Sequence, residues 1–234
     1  MAALFAAGSA CFVVGPFPGY ANLVGERADA VTFVVGSILF TAGGALQSII
    51  AFPERRESAA GRSAWWAAAV QSVGTVFFNV TTLRALHTAL SSSEYNRLVW
   101  RPDALGSICF LVSGAIAYRA SARRGWLPVR SGVGWWEPAV NLLGCVLFGI
   151  AAVAGYVVPS TGSLIDQAAA NWNTVLGAGC FLACALFTLR TGRTTKSPRL
   201  RRLRKLEHEL GDVVAPVVRR RRRAGRRVSG DDRD

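Results

Sequence analysis

Six apolar stretches of this chain carry one element, a glycine followed four residues later by a phenylalanine: Gly8/Phe12, Gly36/Phe40, Gly74/Phe78, Gly106/Phe110, Gly144/Phe148 and Gly177/Phe181. Usually a small residue follows the glycine. In a helix this spacing puts both on one face. The glycine admits a second backbone at close range, the small residue widens the contact, and the phenylalanine one turn on fills the space beside it. Six such segments, separated by short charged or turn-rich connections, describe an all-α polytopic membrane protein with internal repetition.

The stretches at residues 1–17, 30–52, 64–88, 103–120, 136–158 and 171–190 are each near the roughly 20 residues that cross a bilayer as helix. Helix is required because unpaired backbone amides are costly in lipid, and none of the stretches alternates like a barrel strand. The expectation is therefore six transmembrane helices forming a bundle over residues 1–190, followed by a tail over 191–234. Met1-Ala-Ala-Leu-Phe has no positive n-region, so the start does not read as a secretory signal.

Charge is segregated along the chain. It is 51% hydrophobic yet carries a net charge of +13, and 16 of its 27 Lys and Arg residues lie from Arg190 onward. Basic residues also gather in the loop with Arg55, Arg56 and Arg62 and in the loop with Arg119, Arg123, Arg124 and Arg130, on the same side as the tail. The other side has Arg27, Arg97 and Arg101, and no basic residue between Pro159 and Asn171. The positive-inside rule then expects a plasma-membrane protein with both termini cytoplasmic.

A longer period overlies the short one. Trp65-Trp66-Ala-Ala-Ala-Val-Gln71-Ser-Val-Gly74 and Trp135-Trp136-Glu-Pro-Ala-Val-Asn141-Leu-Leu-Gly144 match at a spacing of 70 residues. The unit is a helical hairpin, expected over residues 1–52, 64–120 and 136–190, with the copies parallel and related by an axis along the membrane normal. The first copy is clipped: seven residues precede Gly8 and nothing matches the Trp pair, so either the first helix is short or the true N-terminus lies upstream of Met1.

Beyond Ser197-Pro198, Leu200, Leu203, Leu206, Leu210 and Val213 recur at helical spacing among Arg201, Arg202, Arg204 and Lys205. This reads as a basic amphipathic helix. A polybasic run, Arg219, Arg220, Arg221, Arg222 and Arg223, follows Pro216, and the acidic end from Ser229 reads as disordered. These nine basic residues are the expected contacts to anionic lipid at the inner leaflet. Nucleic acid would use the same charges, but the tether to a span favours the membrane surface.

Polar residues inside spans are the candidates for a site, since each is costly unless paired or facing water. Gln47, Gln71, Asn79 and Asn141 qualify, with Gln71 and Asn141 at matching repeat positions. The plain alternative is interhelical hydrogen bonding. Arg84 and Asp103, at outer ends of adjacent helices, are a candidate ion pair, Asp103 after Pro102 also suits a helix N-terminus, and with Glu137 they read as caps, anchors or a structural pair. His87 and His208 are the only histidines and fall in different compartments, so no histidine-based triad or zinc cluster can be assembled, and no phosphate-cradling loop is present. The five cysteines fall in spans and read as small apolar residues. No enzymatic activity and no cofactor is expected.

The phrases Val-Gly36-Ser-Ile-Leu-Phe40 and Leu-Gly106-Ser-Ile-Cys-Phe110-Leu resemble the two-helix YrhK-like membrane domain, and the whole chain looks like multi-pass proteins of Arg- and Ala-rich actinobacteria. The resemblance covers most of residues 1–190 and implies the hairpin fold without assigning any residue a role.

Three functions fit these readings. The first is a scaffold or interaction protein that anchors the basic tail to the inner leaflet or to a protein partner. The second is a small-solute or ion permease with a site at the repeat axis. The third is an accessory subunit, or a homo-oligomer, that buries the glycine faces against other helices. A polar cavity lined by Asn79, Gln71 and Asn141 favours the permease, and a dry axis filled by phenylalanine favours the scaffold.

Overall fold

The structure, a computed structural model, describes residues 1–17, 19–86, 90–122 and 136–191. All of them fall in the first of two units into which the chain divides, Met1–Arg193. The basic tail positions, the expected helix over 198–213 and His87 lie outside the described residues.

The described chain is predominantly helical: α1 (Ala2–Val14), α2 (Tyr20–Val24), α3 (Glu26–Ala51), α4 (Ala59–Ala85), α5 (Ser92–Tyr95), α6 (Arg101–Ser121), α7 (Trp136–Ala154) and α8 (Gln167–Thr191). Helix starts carry their own caps. The Ser58 hydroxyl accepts the Gly61 amide at 2.9 Å at the head of α4, and Asp166 Oδ1 accepts the Ala169 amide at 2.9 Å at the head of α8. Ser91 and Glu94 close a reciprocal capping box before α5. Between α2 and α3 the chain turns at Gly25, whose φ of 88° is open to glycine and strained for other residues.

Four helical stretches are long and apolar enough to cross a membrane: Glu26–Ala51, Ser92–Ser121, Trp136–Ala154 and Gln167–Thr191. The six spans read from the sequence differ from this in three places. The first helix has 13 residues and ends at Val14, because Pro16 has no amide hydrogen to continue the ladder. Helix α4 has 27 residues and no charge between Arg62 and Arg84, but Gln71, Ser72, Thr75, Asn79, Thr81 and Thr82 dilute its apolar character. The fourth helical stretch begins at Ser92, ahead of the expected residue 103, because the capping box starts a helix that passes through a π-helical turn at Asn96–Trp100 into α6.

The six long helices pack in a closed order. Each contacts its predecessor and successor, and α8 returns to α1. Within α1/α3, α4/α6 and α7/α8 the glycines are placed reciprocally, each against the phenylalanine of its partner helix. A Cβ on Gly8 would stand 2.9 Å from the Phe40 ring, and one on Gly36 3.0 Å from Phe12. For Gly74 and Gly106 the distances to Phe110 and Phe78 are 2.8 and 3.2 Å, and for Gly144 and Gly177 those to Phe181 and Phe148 are 2.9 and 2.6 Å. The residues that follow, Ser9, Ser37, Thr75, Ser107, Cys145 and Ala178, are all buried. The sequence element thus corresponds to one packing geometry used three times.

Candidate functional site

The six phenylalanines meet at the centre of the bundle in two layers. Phe40, Phe110 and Phe181 form a triangle, with ring centroids 6.5, 6.1 and 5.7 Å apart. The second layer holds Phe12, Phe78 and Phe148, with Phe148 at 6.1 Å from Phe12 and 5.9 Å from Phe78. Each helix pair joins the layers through its own rings, at 5.8 Å for Phe12/Phe40, 5.0 Å for Phe78/Phe110 and 5.5 Å for Phe148/Phe181. The layering follows from direction: in α1, α4 and α7 the phenylalanine lies one turn beyond its glycine toward one end of the bundle, and in α3, α6 and α8 toward the other. A void of about 10 Å³ remains among Phe12, Ser37, Phe40, Phe78, Phe110 and Phe148, no more than about the 10–15 Å³ that one water requires.

Cavities flank this plug on both sides. Toward Met1, a cavity of about 340 Å³ is floored by Phe40 and Phe181 and lined by Gln47, Gln71, Ser113, Glu137, Asn141 and Thr188. Ser113 Oγ donates to the Ala67 carbonyl at 2.8 Å and meets Gln71 Oε1 at 3.5 Å, and the Thr188 hydroxyl donates to Glu137 Oε1 at 2.8 Å. At the opposite end, a cavity of about 350 Å³ is floored by Phe12, Phe78 and Phe148, and its polar lining includes Glu26, Asp29, Tyr95, Asp103 and Asn171.

Three of the four amides singled out in the sequence, Gln47, Gln71 and Asn141, therefore share one cavity. Asn79 stands apart. It lines neither cavity; its Nδ2 donates to Thr41 Oγ1 on α3 at 2.7 Å, while its Oδ1 is buried without a hydrogen-bond partner. That bond belongs to a row of hydroxyl contacts between α3 and α4, with Ser37 and Thr82 at 2.9 Å and Ser48 and Ser72 at 2.8 Å. Interhelical bonds of this kind contribute about 0.6 kcal/mol each on average, so the row adjusts the packing of α4 more than it drives it.

The Arg84–Asp103 pair is not formed. Asp103 is half-buried in the second cavity, while Arg84 is exposed and outside its lining. Glu137, read as a cap, faces the first cavity. Glu26 and Asp29 are not among the candidates read from the sequence, because the second stretch reads as a span only from residue 30. Their signal was the acidic first turn of α3.

Beside the second cavity two connecting segments are clipped together. Asn96 Nδ2 donates to the Val157 carbonyl at 2.7 Å, and the Val157 amide donates back to Asn96 Oδ1 at 3.1 Å. Val157 lies on β1 (Val157–Val158), which pairs antiparallel with β2 (Ser163–Leu164) between α7 and α8. Trp100 adds a bond from Nε1 to the Ala152 carbonyl at 2.8 Å. Comparison with models of known protein families, with curated proteins and with solved structures finds no match.

Proposed function

We propose that this chain is a membrane-embedded conduit for a small polar solute or ion, held closed by two layers of phenylalanine. The observation that carries the reading is the alignment of the two cavities with the plug: each opens on one phenylalanine layer, and polar side chains line both. Hydrophobic constrictions between wetted vestibules close a path by excluding water. The sealed axis and the position of Asn79 outside both cavities are the outcome expected above of a scaffold; the conduit is preferred because a bundle serving only as an anchor needs no polar side chains gathered in a cavity at either end.

In this reading all six long helices cross the bilayer as three parallel hairpins, with both termini and the Gln71 cavity on the cytoplasmic side. The reciprocal glycine contacts support the hairpins, and the basic loops support the orientation. Helix α1 is shorter than the roughly 20 residues of a full crossing, a mismatch that local bilayer thinning accommodates. The tail lies on the inner leaflet of the plasma membrane through Arg201, Arg202, Arg204, Lys205 and the run from Arg219 to Arg223. The YrhK-like resemblance agrees with the hairpins and adds no residue role.

Cysteine accessibility tests the two-sided arrangement. With the five native cysteines replaced by alanine, single cysteines are placed at Ala117 in the first cavity, Ala170 in the second and Ile108 on the exposed bundle surface. A hydrophilic thiol reagent is expected to label Ala117→Cys only from the cytoplasmic side, Ala170→Cys only from the other, and Ile108→Cys from neither. Labelling of both cavity positions from one side, or of neither, overturns the reading.

A further inference from the structure

We infer that the cavity at the end of the bundle far from Met1 is a binding site for a small organic ammonium or guanidinium cation. The inference rests on the conduit reading for its physiological meaning, since it names the class of solute that the conduit accepts. Its physical basis is separate.

Charge comes first. The protein carries a net charge of +13 with 27 Lys and Arg residues, yet no Lys, Arg or His side chain lines either cavity among the described residues. The charged side chains that do are all acidic: Glu26, Asp29 and Asp103 in the far cavity and Glu137 in the near one. Arg27, Arg84, Arg97 and Arg101 belong to the same end of the bundle but are exposed, where solvent and salt screen them.

Two of these carboxylates lack a protein partner. Asp29 Oδ1 has almost no exposed surface and no hydrogen bond. Asp103 is half-buried, lines the cavity, and has no hydrogen bond or ion pair among the described residues. A carboxylate removed from bulk water without a partner is costly, and a cation in the cavity relieves that cost.

The shape of the site selects the kind of cation. Among the described residues no group of three or more His, Cys, Asp or Glu side chains is placed to hold a metal ion, and hard divalent ions need six or more converging oxygens. The cavity instead combines separated carboxylates with Tyr95, Trp100 and the floor of Phe12, Phe78 and Phe148. Aromatic faces and dispersed acids match a cation whose charge is spread over carbon or a planar guanidinium. A volume of about 350 Å³ is at the lower end of ligand pockets, which run from about 300 to 1,000 Å³.

The test is equilibrium binding to the full-length protein in nanodiscs, with tetramethylammonium and guanidinium chlorides as probes and sodium chloride at equal ionic strength as reference. Saturable binding of at least one probe is expected, followed by intrinsic tryptophan fluorescence. Asp103→Asn and Asp29→Asn, each confirmed monodisperse, are expected to weaken it by about 10- to 100-fold, or about 1.4–2.8 kcal/mol, because each removes a negative charge that faces the cation. Absence of saturable binding to the wild type, or equal binding by both variants, overturns the inference. Flux is read separately. Binding without flux leaves the cation site standing and removes the conduit, whereas flux without binding of either probe does the reverse.

Discussion

Phe110 and Phe148 belong to different aromatic layers and different helix pairs, yet their ring centroids stand 6.3 Å apart. Their contact ties the α4/α6 pair to the α7/α8 pair at the centre of the bundle. Phe110 is also the most enclosed of the six, at 1% exposure. Its removal should cost more than that of any lipid-facing residue. Phe110→Ala is expected to destabilise the protein by about 3–5 kcal/mol, as deep aromatic truncations do, while Ile108→Ala, at a position 55% exposed, should change little. Thermal unfolding in detergent, followed by size-exclusion, checks both. Equal melting temperatures for the two variants would contradict a central role for the rings.

The reciprocal glycines make an independent prediction. A side chain at Gly74, Gly106 or Gly144 meets either a phenylalanine ring or a backbone carbonyl at about 3 Å, inside ordinary contact distance. Leucine at any of the three positions should lower stability by about 1–3 kcal/mol or more through overpacking, seen as reduced yield and melting temperature. Wild-type stability in all three would place these glycines against lipid instead.

Asn96 should be irreplaceable by a residue of similar size. Its amide both donates to and accepts from the Val157 backbone, so Asn96→Leu strands a buried donor and acceptor at a cost of about 1–3 kcal/mol. The expected signature is faster proteolysis or hydrogen exchange in the Val157–Leu164 hairpin, with little change at the Met1 end. An effect spread evenly over the bundle would show that the clip is not local.

How much of this was legible in the sequence depends on the kind of signal. The Gly-x-x-x-Phe element could be read because close helix packing constrains two residue types at a fixed spacing, and Gln71 and Asn141 could be paired because they hold matching repeat positions. That the six phenylalanines converge was not legible. Periodicity assigns a residue to a helix face, but the direction of each helix and the closed packing order decide which faces meet. Asn79 qualifies as a site residue in the sequence because it is an amide within an apolar stretch, and Thr41, its partner, lies 38 positions away. The helical lead-in to α6 from Ser92 was hidden by local chemistry, since Ser91-x-x-Glu94 is a capping box inside a segment that otherwise reads as a polar loop.

The tail yields a prediction from sequence alone. A peptide covering residues 196–228 should gain helix on vesicles containing anionic lipid, bind weakly to neutral ones, and release in high salt. The salt effect follows from a Debye length of about 8 Å at physiological ionic strength that shortens above it. A peptide that stays unstructured on anionic vesicles yet binds nucleic acid tightly would contradict the membrane-surface assignment.

The central claim is that the phenylalanine layers close a path between two polar cavities, and solute flux through reconstituted protein tests it most directly. Liposomes containing wild-type protein are compared with liposomes containing the double variant Phe110→Val, Phe148→Val, which thins both layers while keeping apolar side chains in the core. Permeability to potassium, guanidinium and urea is followed after a concentration jump. The account predicts low flux for the wild type and a clear rise for the double variant, with no rise for Ile108→Val. A folded, monodisperse double variant that is as tight as empty liposomes to all three solutes would contradict it and return the bundle to a scaffold.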